Sequence, residues 1–232
     1  GAETWRPFHP PVVKRVYDDT PAARGGRAIG SGLDVARSGD RTVLITLYPN
    51  RLVVRDSWEG TNYPQQEADI MDILDQDPDH PLAVDAAGEG SGLADYLAER
   101  WPTTHRFRSD GEPPLSNADR MTETEYGATN YRSQRAEGLA ALGDWLDEAP
   151  VGAVTDRDLR TELLAGARTA KFSERHLGSR GGDGEDVVEV NSKDAVKQYL
   201  DHSPDYLDAT MLAIWAARCA PEGLTADDAI VF

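Results

Sequence analysis

The sequence has a single cysteine, Cys219, among 232 residues, which excludes a disulfide framework and a cysteine-based zinc site. It has only four lysines, Lys14, Lys171, Lys193 and Lys197, and no basic run of the kind that forms a nucleic-acid-binding tail. No apolar run approaches the ~18 residues of a membrane span. No basic-then-apolar opening reads as a signal peptide. The pattern Gly-x-x-x-x-Gly-Lys-Ser/Thr does not occur, so the chain carries no phosphate-cradling ATPase loop. His9, His80, His105, His176 and His202 show no ligand spacing. Aromatics are 7% and hydrophobic residues 39% of the chain, low for a globular protein but above the disordered range.

Acid is what the chain has in excess. Asp and Glu total 41 against 24 Lys and Arg, for a net charge of −17. Abundant Asp with scarce Lys matches proteins of salt-loving organisms, although an ordinary acidic protein shares the sign. In molar salt the Debye length falls to about 3 Å, and a crowded acidic surface stops repelling itself strongly. At ordinary ionic strength such a charge argues against a nucleic-acid partner. In molar salt that argument weakens, because long-range attraction is screened too.

The length suits one generous domain or two small ones. Residues 1–27 carry Pro7, Pro10, Pro11, Pro21 and Arg24-Gly25-Gly26-Arg27, and read as an irregular lead-in or linker. Gly1-Ala2 reads as a remnant of tag cleavage, and the chain as an excised piece of a longer one. Strand patterns follow in Ala28–Val35, Thr42–Tyr48 and Leu52–Trp58, joined by turn residues into an antiparallel meander. Pro64–Leu74 is helical, Pro81–Ala86 a short strand, Leu93–Arg100 helical and Thr104–Arg108 another strand. Pro113–Gly127 is polar and carries no clear pattern. Helices are expected over Asn130–Leu146, Asp156–Leu164, Lys193–Leu200 and from Pro204 to about Arg218. Ala167–Phe172 and Val187–Asn191 pattern as a strand pair around a Gly178–Gly184 loop, either a segment that touches DNA or guards a site or a plain disordered hairpin tip. Trp145 and Trp215 sit on apolar helix stripes and are expected in the core. The fold class is mixed α/β, with a domain over 28–218 and a tail over 219–232.

Four of the 26 aspartates stand where side chains can share a site. Asp34 lies in the apolar strand Gly32-Leu33-Asp34-Val35, where a carboxylate costs several kcal/mol unless it is paired or bound to a cation. Asp85 ends the apolar strand Leu82-Ala83-Val84, and sites in open α/β sheets gather at strand carboxyl ends. Asp205 and Asp208 open the last helix three residues apart, on one face. Carboxylates from two strands and a helix make an oxygen-rich cluster suited to Mg²⁺ or Mn²⁺. Two such ions about 4 Å apart activate a water and stabilise the leaving oxygen of a phosphodiester.

Gly32-Leu33-Asp34-Val35-Ala36-Arg37-Ser38-Gly39-Asp40-Arg41-Thr42-Val43 resembles the first motif of the nuclease domain of phage terminase large subunits. Val84-Asp85-Ala86-Ala87-Gly88-Glu89-Gly90-Ser91-Gly92-Leu93-Ala94-Asp95 resembles the second. Ser203-Pro204-Asp205-Tyr206-Leu207-Asp208-Ala209 resembles the third, and Ser192-Lys193-Asp194 before it also fits. Order and spacing agree from Gly32 to Ala217. The resemblance implies a ribonuclease H-like fold, a central mixed sheet flanked by helices, and a metal-dependent endonuclease that cuts concatemeric viral DNA during packaging. It implies Asp34 as the residue bridging two ions of Mg²⁺ or Mn²⁺, Asp85 as the second ligand and Asp208 as the third. Asp205 stands where some members have a histidine, as a ligand or behind one.

The implied partners are double-stranded viral DNA, an N-terminal ATPase domain joined through the lead-in, the portal and the small terminase subunit, with no membrane. The implied location is the host cell cytoplasm during virus assembly, transiently on the procapsid portal. With the acidic composition, the host expected is a haloarchaeon. Lys193, Arg132, Arg135 and Lys171 are the candidate DNA contacts, with Arg106 and Arg108 behind them; each is otherwise a surface ion pair. Two rivals stand beside this reading. One is a catalytically latent docking module of the packaging motor. The other is an actin or sugar-kinase-like nucleotide-binding domain, which needs a duplicated fold that 232 residues do not supply.

Overall fold

The computed structural model describes residues 4–35, 40–60, 63–85, 90–111, 131–179 and 182–218, with the backbone alone at 90–91, 175–179 and 182–186. The first departure from the sequence expectation is in the lead-in. It forms a strand, β1 (Thr4–Trp5), and a helix, α1 (Pro10–Val16). Pro10 and Pro11 begin that helix, where a fixed φ is already helical and a missing N–H costs nothing. Phe8, Val13 and Val16 are buried in the core. The Arg15 guanidinium donates to the carbonyls of Ala149 and Leu146, both at 2.7 Å.

The expected meander is present. β2 (Gly30–Asp34), β3 (Arg41–Tyr48) and β4 (Arg51–Glu59) pair antiparallel in sequence. After α2 (Tyr63–Leu74), β5 (Leu82–Asp85) joins β2 in parallel. After α3 (Gly90–Arg100), β6 (Thr104–Phe107) joins β5, also in parallel. The resulting order, β4-β3-β2-β5-β6, makes a five-stranded mixed sheet with β2 at its centre.

Strand alternation divides the core in two. Leu33, Leu44, Leu82 and Val84 face α2 and α3, against Ile70, Leu74, Leu93 and Leu97. Val43, Ile45, Leu47 and Ala83 face the other way. There they meet α1, α4 (Gln134–Glu148), α5 (Arg157–Thr169) and, past a second sheet and a short helix, α7 (Asp205–Arg218). Trp145 and Trp215 are buried in this layer as expected, and the Trp215 indole N–H donates to Glu137 at 2.9 Å.

The second sheet is β1-β7-β8, from β7 (Phe172–Ser179) and β8 (Gly182–Val190), and α6 (Asp194–Leu200) follows it. The strand expected from Ala167 starts instead at Phe172. Leu159, Leu163, Gly166 and Ala167 keep helical spacing into the core, so α5 continues through Thr169. Most of the expected Gly178–Gly184 loop is strand, with Ser179 opposite Gly182. α4 starts at Gln134, later than expected, capped by the Ser133 hydroxyl on the Ala136 amide at 3.3 Å. Pro113–Gly127 and the tail at 219–232, with Cys219, lie outside the described residues.

Candidate active site

Two carboxylates reach one place because β2 and β5 are parallel neighbours. Leu33 is in register with Val84, so Asp34 and Asp85 end the two strands side by side. Period-two alternation puts Asp34 on the face of Gly30 and Gly32, and Asp85 on the face of Ala83, which is the face covered by α7.

Glycine determines how near α7 comes. A Cβ on Gly30 would stand 2.5 Å from the Ala213 carbonyl oxygen, and one on Gly32 would collide with the Ala209 carbonyl oxygen. Only bare backbone lets the helix lie on β2 this closely. The helix runs back along the strand, so its first turn lands at Asp34 and delivers Asp205 and Asp208 there. Asp34, Asp205 and Asp208 are each 7% exposed. Asp85 is half-buried at the rim.

Few cations offset this charge. The Lys193 ammonium stands 3.2 Å from Asp208 Oδ2. The Arg41 backbone amide donates to Asp205 Oδ2 at 3.0 Å. Burial holds the Asp34 carboxyl well above the usual range, Asp208 raises it further, and Asp205 and Asp85 add to this against an opposing pull from Lys193. Burial also raises Asp205, with Asp40 and Asp208 adding to it, against hydrogen bonds from the Arg41 amide and Ser203. Burial works to lower Lys193, but Asp208 and Asp34 outweigh it and the ammonium is held more strongly. The donor set, all carboxylate oxygen and mutually repelling, fits a hard divalent cation. Among the described residues, no three carboxylate, histidine or cysteine groups converge tightly enough to hold an ion as they stand. Lys193 occupies Asp208 instead.

A cavity opens on each side of the cluster. One of 690 Å³ runs from Asp85 past Arg132, Arg135, Asn191 and Lys193. The other, of 350 Å³, is lined by Asp40, Arg41, Glu162, His202 and Asp205. Of the expected DNA contacts, Arg132 lies in the larger cavity and pairs with Glu189 at 3.1 Å. It precedes α4, so it lies outside the helix that carries Arg135. Arg135 is buried, donates to the Asn191 carbonyl at 3.0 Å, and has a buried Nε without a partner. Lys193 joins the acidic cluster. Lys171 is exposed, outside the lining of either cavity, and its backbone amide donates to Asn191 Oδ1 at 2.8 Å. Arg106 pairs with Asp95, and Arg108 lies 3.7 Å from Asp110.

Glu162 is a residue that sequence reasoning missed. It is 3% exposed, and its Oε2 accepts from the Leu207 amide at 2.9 Å. Burial pushes its carboxyl up to about 8, with Asp205 and Asp208 adding to the rise against the amides of Leu207 and Tyr206. Its one sequence signal was an acid on the apolar stripe of α5, between Leu159 and Leu163.

A mutant nuclease domain of the large terminase subunit of bacterial virus Sf6, with manganese and beta-thujaplicinol, is similar to this chain at TM-score 0.57 and 18% identity, over 90% of this chain and 98% of that one. The large terminase nuclease of thermophilic phage G20c with bound magnesium is similar at TM-score 0.51 and 13% identity, over 90% and 96%. The HK97 bacteriophage large terminase is similar at TM-score 0.51 and 11% identity, over 93% of this chain but 44% of that longer one. The chain thus has the ribonuclease H-like fold of large-terminase nuclease domains. No protein-family model matches it, and no curated protein sequence does either.

Proposed function

We propose that the chain is the nuclease domain of a viral terminase large subunit, a metal-dependent endonuclease acting on double-stranded DNA. One observation carries this reading. Asp34 and Asp85 end adjacent parallel strands under the α7 turn that bears Asp205 and Asp208, in a fold shared with terminase nucleases. Asp34, Asp85 and Asp208 would hold two ions of Mg²⁺ or Mn²⁺, with Asp205 as a further ligand or behind them. Bound there, the ions supply water activation and stabilisation of the leaving oxygen in phosphodiester hydrolysis. The residues of the chain do the rest. Asp208 must part from Lys193, and the freed ammonium is then available to a backbone phosphate. Arg132 is the further candidate contact along the larger cavity. Arg135, being buried, acts on substrate only through Asn191 or the field it adds.

The larger protein would bring an N-terminal ATPase domain, the portal and the small subunit to this domain, in the host cytoplasm during assembly. The lead-in would join that ATPase domain. The acid-rich surface fits a salt-rich host, such as that of a haloarchaeal virus. A catalytically latent docking module is the competing reading, favoured by Lys193 standing on Asp208. Plasmid cleavage with Mg²⁺ or Mn²⁺ and with chelator, at low and molar KCl, separates the two. Cutting only with metal supports the nuclease; no cutting under any of these conditions supports latency; undiminished cutting in chelator removes the metal mechanism.

A further inference from the structure

The first turn of α7 is aimed by α5, forty-five residues away in sequence. A helix start leaves its first amides without intrahelical acceptors, and a side-chain oxygen must meet them when they are buried. Here the oxygen comes from another helix. Glu162 Oε2 accepts from the Leu207 amide at 2.9 Å, and the neighbouring Tyr206 amide points its field at the same carboxyl. One turn on along α5, Gly166 lets the Leu207 side chain press against the helix, since a Cβ at Gly166 would stand 2.9 Å from Leu207 Cδ2. Glu162 and Gly166 are four apart and share a face of α5. That face therefore grips Leu207 twice, by its amide and by its side chain. The gripped residue sits directly before Asp208 and two after Asp205.

We propose that Glu162 is the positioning residue of the acidic site, fixing the rotation of the α7 first turn so that Asp205 and Asp208 face Asp34. This rests on the nuclease reading for its purpose, though not for its geometry. The role needs an acceptor oxygen, and glutamine supplies one. Glu162→Gln should therefore keep the aim and Glu162→Ala should lose it.

The test uses free Mn²⁺ as the probe. Its affinity is measured by spectroscopic titration of wild type, E162Q and E162A, beside amide hydrogen exchange at Tyr206 and Leu207. Ile70→Val, in the core layer under α2, is the control for general destabilisation. The expected result is roughly 10-fold weaker Mn²⁺ binding in E162A, near wild-type binding in E162Q, and unchanged binding in the control. Exchange at both amides should quicken in E162A alone. Wild-type affinity in E162A overturns the proposal, and so do equal losses in E162A and E162Q or a matching loss in the control. If wild type binds no Mn²⁺, the nuclease reading fails. The exchange rates then decide Glu162 by themselves: faster in E162A upholds its hold on α7, and unchanged rates end it.

Discussion

Replacing Glu162 with glutamine should flatten the dependence of stability on pH. Burial raises this carboxyl from the ordinary 4.5 to about 8, so the folded state favours the protonated form over that interval. The folded protein then holds a proton that the unfolded chain has released. Its stabilising contribution is complete below pH 4.5 and is lost as pH rises through about 8. Within the window the slope reaches about 1.4 kcal/mol per pH unit. Between pH 5.5 and 7.5 the loss is roughly 2–3 kcal/mol, which in a chain of this size is roughly 5–10 °C of melting temperature. E162Q has no such proton. Melting of both proteins should be followed in chelator at fixed molar KCl across those two pH values. Asp34 and Asp205 are also raised and weaken the fold with pH in both proteins, so the difference between the two slopes reports Glu162 together with its contact to His202 at 3.9 Å. Parallel loss of melting temperature would refute the reasoning, because it would leave Glu162 ionised throughout.

Asp34→Asn should melt higher than wild type in chelator, because it removes an acid whose ionisation burial and three neighbouring carboxylates oppose. It should also lose the stabilisation by Mn²⁺ and most cleavage; a surviving metal-induced shift would place the ion elsewhere. Lys193→Ala should lower stability in chelator by roughly 1–2 kcal/mol, discounted for the partial exposure of the ammonium, and the deficit should shrink with Mn²⁺ as the ion takes over the charge of Asp208. A deficit unchanged by metal would separate Asp208 from the metal site. Gly32→Ala should cost roughly 2–4 kcal/mol by driving a methyl group into the Ala209 carbonyl, and near-neutral melting would contradict the packing of α7 on β2. For wild type, the melting temperature should climb from ~0.1 M to molar KCl as the Debye length falls from about 10 to 3 Å, and a flat or falling curve would remove the halophile reading.

How far sequence reading reached depended on the range of the physics behind each element. The meander was legible because strand alternation and turn residues are local signals, and β2, β3 and β4 follow them closely. The lead-in was misread for an equally local reason. Prolines are read as breakers, yet at the first positions of α1 they are well placed. What made that segment structured was distant: Val13 and Val16 in the core, and Arg15 on the last carbonyls of α4. The end of α5 was misread although Ala167 and Arg168 are good helix formers, and the burial of Gly166 and Ala167 carries the helix on to Thr169.

The site divides along the same line. Asp34 and Asp85 could be found because an acid closing an apolar strand is an anomaly within four or five residues. Parallel register, which the structure supplies, turns the two anomalies into one site. Lys193 stood out by its place before the last acidic motif, but its contact with Asp208 spans a loop and a helix and is visible only once α7 is placed. Arg135 looked like a surface cation because arginine usually is one. Its burial follows from the position where α4 begins, one residue earlier at Gln134. Glu162 lay deepest. In the sequence it is an acid at a core position of a helix, which argues against the helix. In the fold that position faces the open Leu207 amide of another helix, and the buried acid that would have counted as an error is the acceptor it lacks.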